Sequence, residues 1–141
     1  MSISHDFLNL IKRIEQEVEI PLIKEIFVPT PSFFDQKGKK HNFGAIILED
    51  NTIGVVFLSL RPEIRFIENK LDLSDFKGKN PIEVAKEFAS DDEYLKTIGL
   101  GAFNAASQYI FKKARFEFDF TTDPFGLLNF ENGDIIGMIG F

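Results

Sequence analysis

Phe43-Gly-Ala-Ile-Ile-Leu-Glu49, then Asp50-Asn51-Thr52, then Ile53-Gly-Val-Val-Phe-Leu-Ser-Leu60: the reading of this stretch decides the fold. Two runs rich in β-branched and aromatic residues flank three residues of turn-forming type. Such side chains pack well on a pleated surface, whereas Asp and Asn bend their own backbone through side-chain hydrogen bonds. The stretch therefore predicts an antiparallel hairpin. Pro62 closes its second strand, because proline has no N–H to give a ladder.

Working outward, residues 22–28 form a third β-branched-rich run, set between Pro21 and the pair Pro29 and Pro31. Before it, Ile3, Phe7, Leu10, Ile11, Ile14 and Val18 recur at helical spacing, with Ser4 placed to cap. Residues 29–42 read as a long loop with a basic tip at Lys37, Lys39, Lys40 and His41. After the hairpin the chain turns helical. Asn80 followed by Pro81 is a cap followed by a first-turn proline, opening a short helix to Phe88. Ser90 with Glu93 forms a capping box for a longer helix to Lys113. That helix is expected to lie on the sheet through Ile98, Ala102, Ala105 and Tyr109. Glycine costs roughly 0.8–1 kcal/mol in a helix interior, so Gly99 and Gly101 point to close backbone packing.

Phe116, Phe118 and Phe120 alternate with Glu117 and Asp119, a strand-like pattern. Asp123-Pro124 starts a short helix, Asn132-Gly133 is a turn, and residues 134–141 are strand-like. Strands followed by helices give an α+β class: a three-stranded antiparallel sheet with helices on one face. The main domain covers residues 1–130, and residues 131–141 open a further unit. The terminal strand has no obvious neighbour. It is expected to be disordered, to fold back as an extra strand, or to pair with a second copy of the chain.

Composition narrows the function. A length of 141 residues suits one domain with a core that needs no staples. With 17 Phe, 2 Tyr and no Trp, the aromatic content favours a dry core over an aromatic binding surface. The chain has no Cys, so disulfides and thiolate metal sites are excluded. Residues 1–70 carry 9 Lys/Arg and 10 Asp/Glu, whereas residues 71–141 carry 7 and 12. A nucleic-acid binder needs a basic face, and this distribution runs the other way. His5, Asp6, Lys12 and Arg13 break up any signal-peptide core, and the apolar runs are too short to span a bilayer. A cytoplasmic protein without membrane partners is the expectation.

Few motifs carry chemistry. Gly99-Leu-Gly101-Ala-Phe-Asn104 starts like a dinucleotide fingerprint. It follows a polar helical segment instead of a strand, and Asn104 fills the third glycine slot, so it reads as a packing helix. Gly137 and Gly140 lie on the terminal strand, either admitting a ligand or helix close to the backbone or belonging to a plain buried strand. The basic tip reads as solvated loop charge, with anion binding as the alternative. Asp91, Asp92 and Glu93 suit a helix N-terminus for dipole reasons. Two distant His and no Cys give no transition-metal site and no nucleophile–base pair. Asn104, amid small residues, is either a cross-brace or a ligand contact.

The stretch Phe76-Lys-Gly-Lys-Asn-Pro-Ile-Glu-Val-Ala-Lys-Glu-Phe-Ala-Ser90, continuing into Lys96-Thr-Ile-Gly-Leu-Gly-Ala-Phe-Asn104-Ala105, resembles the N-terminal domain of the heavy-metal chelatase family. Asn132-Gly-Asp-Ile-Ile-Gly-Met-Ile-Gly140-Phe141 is similar to the opening strand of that family's second domain. The resemblance covers about residues 20–141 and is strongest over 76–105. Gly101-Ala102-Phe103 departs from it, where the family more usually has Ala-Ala and an aliphatic residue. The resemblance implies an enolase N-terminal-like fold and a C-terminal Rossmann-like domain, of which this sequence holds only the first strand. It also implies a ligand site at the domain junction. The close approach that the small-residue helix allows, the donors and acceptor of Asn104 and the place of Asp123 on the connection put that site beside Asn104, Asp123, Gly137 and Gly140. The resemblance assigns no cofactor, metal ligand or catalytic residue. Two readings follow: the capping half of a two-domain ligand-binding protein, or a stand-alone small-molecule-binding or protein-interaction module without catalysis.

Overall fold

Alternation along a strand sends neighbouring side chains to opposite faces of the sheet. In the hairpin, both sets are apolar. The computed structural model describes residues 3–29, 43–58, 67–119 and 133. Helix α1 (Ile3–Glu17) leads into β1 (Ile23–Phe27), β2 (Phe43–Leu48) and β3 (Ile53–Phe57). Helix α2 (Pro81–Ala85) tightens into a 3-10 turn (Lys86–Ala89) and is followed by α3 (Glu93–Lys113). The strands form one antiparallel sheet in the order β1-β2-β3, which makes the fold α+β, as expected. Each strand ends one to three residues sooner than the sequence pattern suggests.

The hairpin turns over Glu49, Asp50 and Asn51, one residue earlier than expected. Leu48 N donates to Thr52 O at 2.9 Å and Asn51 N to Leu48 O at 2.9 Å, with Asn51 left-handed at φ 64°. A three-residue loop ending in a left-handed residue suits the twist of the flanking strands, and Asn tolerates that conformation. Asp50 fixes the turn, its carboxylate accepting from Thr52 N at 3.0 Å and Thr52 Oγ1 at 2.8 Å.

Helix α3 covers the inner face of the sheet, where Gly44, Ile46, Leu48, Gly54 and Val56 are buried. Its small residues are there for proximity. A Cβ on Gly54 would meet the backbone N of Ala105 and stand 2.6 Å from its Cα. A Cβ on Gly101 would stand 3.0 Å from Ile46 Cδ1, and one on Gly99 would stand 2.8 Å from Glu87 C. The glycines in the fingerprint-like stretch thus let α3 sink onto the sheet and the 3-10 turn. Ile98, Ala102 and Ala105 are fully buried and Tyr109 is half-buried, as the sequence indicated.

Two helix starts differ from expectation. Asp92, not Ser90, caps α3, its Oδ1 accepting from Tyr94 N at 2.8 Å and Leu95 N at 3.1 Å. A carboxylate there satisfies two orphan donors and complements the helix dipole, which a serine hydroxyl two residues back does less well. Helix α1 begins at Ile3, so Ser4 lies inside its first turn. By contrast, Asn80 caps α2 as expected, accepting from Ile82 N at 2.8 Å.

The segment after α3 is not a strand among its described residues. Arg115 adopts φ 51°, Arg115 N donates to Lys112 O, and Phe116 N donates to Phe111 O at 2.9 Å. That is a Schellman closure with the chain reversed at a left-handed residue, and its customary hydrophobic contact is the Phe111–Phe116 ring pair at 5.4 Å. The closure, which alternation cannot reveal, leaves Phe116–Asp119 irregular.

The core itself corrects the reading of phenylalanine. Ile11, Ile23, Ile46, Leu48, Ile67, Ile82 and Ile98 fill it, with Ala85, Ala102, Ala105 and Ala106 between them. Among the described Phe residues only Phe76 is buried. Phe7 packs at 4.4 Å from Phe88 and 4.6 Å from Phe103, tying α1 to the 3-10 turn and α3. The small-residue helix approaches the sheet so closely that little room remains between them for rings, which are displaced outward.

Candidate functional site

Of the four residues expected at a ligand site, Asn104 is described, and Asp123, Gly137 and Gly140 lie outside the described residues. So do the basic tip, the Asp123-Pro124 helix start and the terminal strand. Gly133, at the expected turn, is exposed with φ 110°. Asn104 sits half-buried on α3, and its Nδ2 donates to Val55 O at 2.8 Å. The ladder explains this bond. Hydrogen-bonded pairs alternate along an antiparallel pair, and Leu48 with Thr52 is one of them. Ile53, Val55 and Phe57 therefore turn their backbone groups away from β2. Asn104 satisfies the central outward carbonyl of an edge strand, so it braces helix to strand.

No group of three or more His, Asp and Glu side chains suited to a metal ion occurs among the described residues. Among the described residues, two ion pairs tie separate elements together. Lys86 reaches Glu83 at 2.7 Å and Glu15 at 3.2 Å, linking α2 to α1. Its bond to Glu83 raises the Lys86 pKa and lowers that of Glu83. Lys112 reaches Asp50 at 3.0 Å, pinning the end of α3 to the hairpin. Burial pushes the Asp50 carboxyl up, but hydrogen bonds from Lys112 and Thr52 outweigh it and hold it below the usual value. A shallow depression lined by Glu68, Lys70, Asp72 and Ser74 is open to solvent, and Asp72 there accepts from its own neighbour Ser74 at 2.6 Å.

The surface most able to bind a partner is the outer face of the sheet. The register lines it up in three rows. Phe43 lies beside Phe57; Phe27, Ala45 and Val55 form the middle row; Glu25, Ile47 and Ile53 form the third. Phe43 is 58% exposed, Val55 51%, Ile53 50%, Phe27 46% and Phe57 39%. Seven of these eight positions are apolar, and Glu25 at one corner is the single charge. With each Phe offering about 200 Å² when free, the three rings alone expose roughly 290 Å². A patch of that size matches the largest found on a typical monomer, and such patches are often functional.

Motif reading passed over this face, yet its signal is present in the sequence. An antiparallel sheet with one wet side alternates apolar and polar residues, and a sheet covered on both sides shows continuous apolar runs. Phe43–Leu48 and Ile53–Phe57 hold no charged residue at either parity. Among the described residues, no helix is long and apolar enough to cross a membrane. Comparison of the chain with protein-family models, with curated proteins and with solved structures finds no match.

Proposed function

We propose that this chain is a non-catalytic docking domain that joins a partner through the outer face of the sheet. One observation carries the reading, namely five large apolar side chains exposed together on one face, where the only charge among the eight described positions is at a corner. Burying apolar area is the main favourable term in association, and depletion of charge at the centre is the compositional mark of an interface. On the resemblance to the heavy-metal chelatase family, ligand chemistry belongs to a separate Rossmann-like domain and not to this face. Asn104 then serves this domain as a brace that keeps β3 and α3 in register, with its Oδ1 and its second Nδ2 hydrogen left to meet a ligand.

The absence of Cys makes the test clean, because one introduced thiol is the only one present. Val55→Cys places it at the centre of the face, and Lys113→Cys gives an exposed reference on the end of α3. In the cells that produce the protein, the thiol at 55 is expected to react with a permeant maleimide at least tenfold more slowly than that at 113. Mild denaturant should equalise the two rates. Equal rates in the native protein would mean that the face is wet and the docking reading is wrong.

A further inference from the structure

We propose that the occupant of the outer sheet face is a second copy of this chain, packed face to face about a two-fold axis. The proposal rests on the docking reading above and names its partner.

The face is self-complementary. Its rings lie in one row and at one end of the next, and its aliphatic residues lie at the other end. A two-fold axis crossing the strands at the middle row reverses the strand direction between copies. Phe43 and Phe57 of one copy then lie over Ile47 and Ile53 of the other, so large side chains meet smaller ones. In the middle row Phe27, Ala45 and Val55 each meet their own counterparts. Aligned sheets pack about 10 Å apart, with inner side chains interdigitated.

Charge permits this arrangement. A net charge of −6 opposes self-association in general, but Glu25 is the only carboxylate among the described residues of the face. Under the same axis the two Glu25 side chains stand two residues to either side of the middle row. At about 3.4 Å per residue and 10 Å between sheets, they are roughly 17 Å apart, beyond the screening length at physiological salt. Each also lies at a corner, where water reaches it.

Area and the state of the edge favour a face over an edge. Adding the half-exposed Ile53 and Val55 to the three rings gives roughly 450 Å² of apolar surface per copy, or roughly 900 Å² for two before any rim is counted. Stable interfaces begin near about 1,200 Å² in total, so a modest rim suffices. Edge-to-edge pairing would need the outward carbonyl of Val55, which Asn104 already occupies at 2.8 Å.

The experiment measures mass by light scattering and sedimentation from about 1 to 200 µM, on the unaltered chain and on Val55→Arg. The unaltered chain should be dimeric at the upper end. Val55→Arg brings two guanidinium groups together on the axis and should weaken association at least about 100-fold, with helical circular dichroism and cooperative unfolding unchanged. Should Val55→Arg misfold, Val55→Cys gives a second measure. A short bis-maleimide of about 8 Å should join the two copies at 55, whereas Ile53→Cys, set about 17 Å apart, should join poorly. A dimer that persists in folded Val55→Arg would overturn the proposal. With thiol reactivity now read on the purified protein, a strict monomer with a reactive thiol at 55 would overturn it while leaving the docking reading, which is tested in the producing cells, intact. A strict monomer with a protected thiol at 55 would sink both, because the chain would then be covering its own face.

Discussion

The two faces of this sheet are made by the same three strands, and both are apolar, but they are apolar in different ways. The inner face carries Gly44, Gly54, Ile46 and Val56 and lies under a helix whose contacts are themselves Gly101, Ala102 and Ala105. Small residues there let backbones approach, so the contact is tight and intolerant of added atoms. The outer face carries Phe27, Phe43, Phe57, Ile53 and Val55, which are partly exposed. Burial within a fold rewards close fit, whereas burial against a separate partner rewards large area on rigid side chains. The distribution of residue size thus distinguishes a face closed by folding from a face suited to closure by association.

Gly54 and Val55 give the sharpest test, being adjacent residues on opposite faces. Gly54→Ala adds one methyl that meets the Ala105 backbone, which cannot move without lifting α3. The expected loss is about 3 kcal/mol, at the upper end for overpacking. Val55→Ala removes two methyls from an exposed site and should cost at most about 1 kcal/mol in the monomer, mostly strand propensity. Urea unfolding at low protein concentration measures both. Comparable losses would erase the distinction between the faces.

That same contrast marks what the sequence disclosed. The hairpin, the order of elements, the Asn80 cap and the packing role of Gly99 and Gly101 were legible because each rests on local rules: alternation, turn chemistry, the cost of glycine in a helix. Three features were not. The reversal at Arg115 depends on a left-handed residue that is not glycine, and no spacing announces it. The location of the rings depends on how closely α3 approaches the sheet, which is a sum over many contacts. The role of Asn104 depends on which β3 carbonyls the ladder leaves outward, and hence on the register.

Asn104 ranks next in expected size. Removing its donor by Asn104→Ala leaves Val55 O to water at an edge, so the loss should be about 1 kcal/mol. Asn104→Asp places a carboxylate against a carbonyl oxygen and should lose more, up to about 2 kcal/mol. Denaturant titration of the pair, with hydrogen exchange along β3, is the check. If neither substitution moves stability or exchange, the brace contributes nothing, and a ligand role for Asn104 gains ground.

The smallest effect concerns the tie between the covering helix and the hairpin. Asp50 accepts from Lys112 and from Thr52, and these bonds hold its carboxyl below the usual range against the opposing effect of burial. A carboxyl whose folded pKa lies below its unfolded value stabilises the fold above the unfolded value, and the contribution is lost as pH falls through the folded one. The unfolded value for Asp is near 3.9, so the contribution is complete at neutral pH and wanes below about pH 4. Lys112 is largely exposed, which limits the pair to about 0.5–1 kcal/mol. Asp50→Asn keeps an acceptor for Thr52 N but loses the charge facing Lys112. It should therefore be less stable than the unaltered protein at pH 7, with the gap narrowing below pH 4 and shrinking in high salt. A gap that stays constant from pH 7 to pH 3 would show that the turn, and not the tie to α3, is what Asp50 supports.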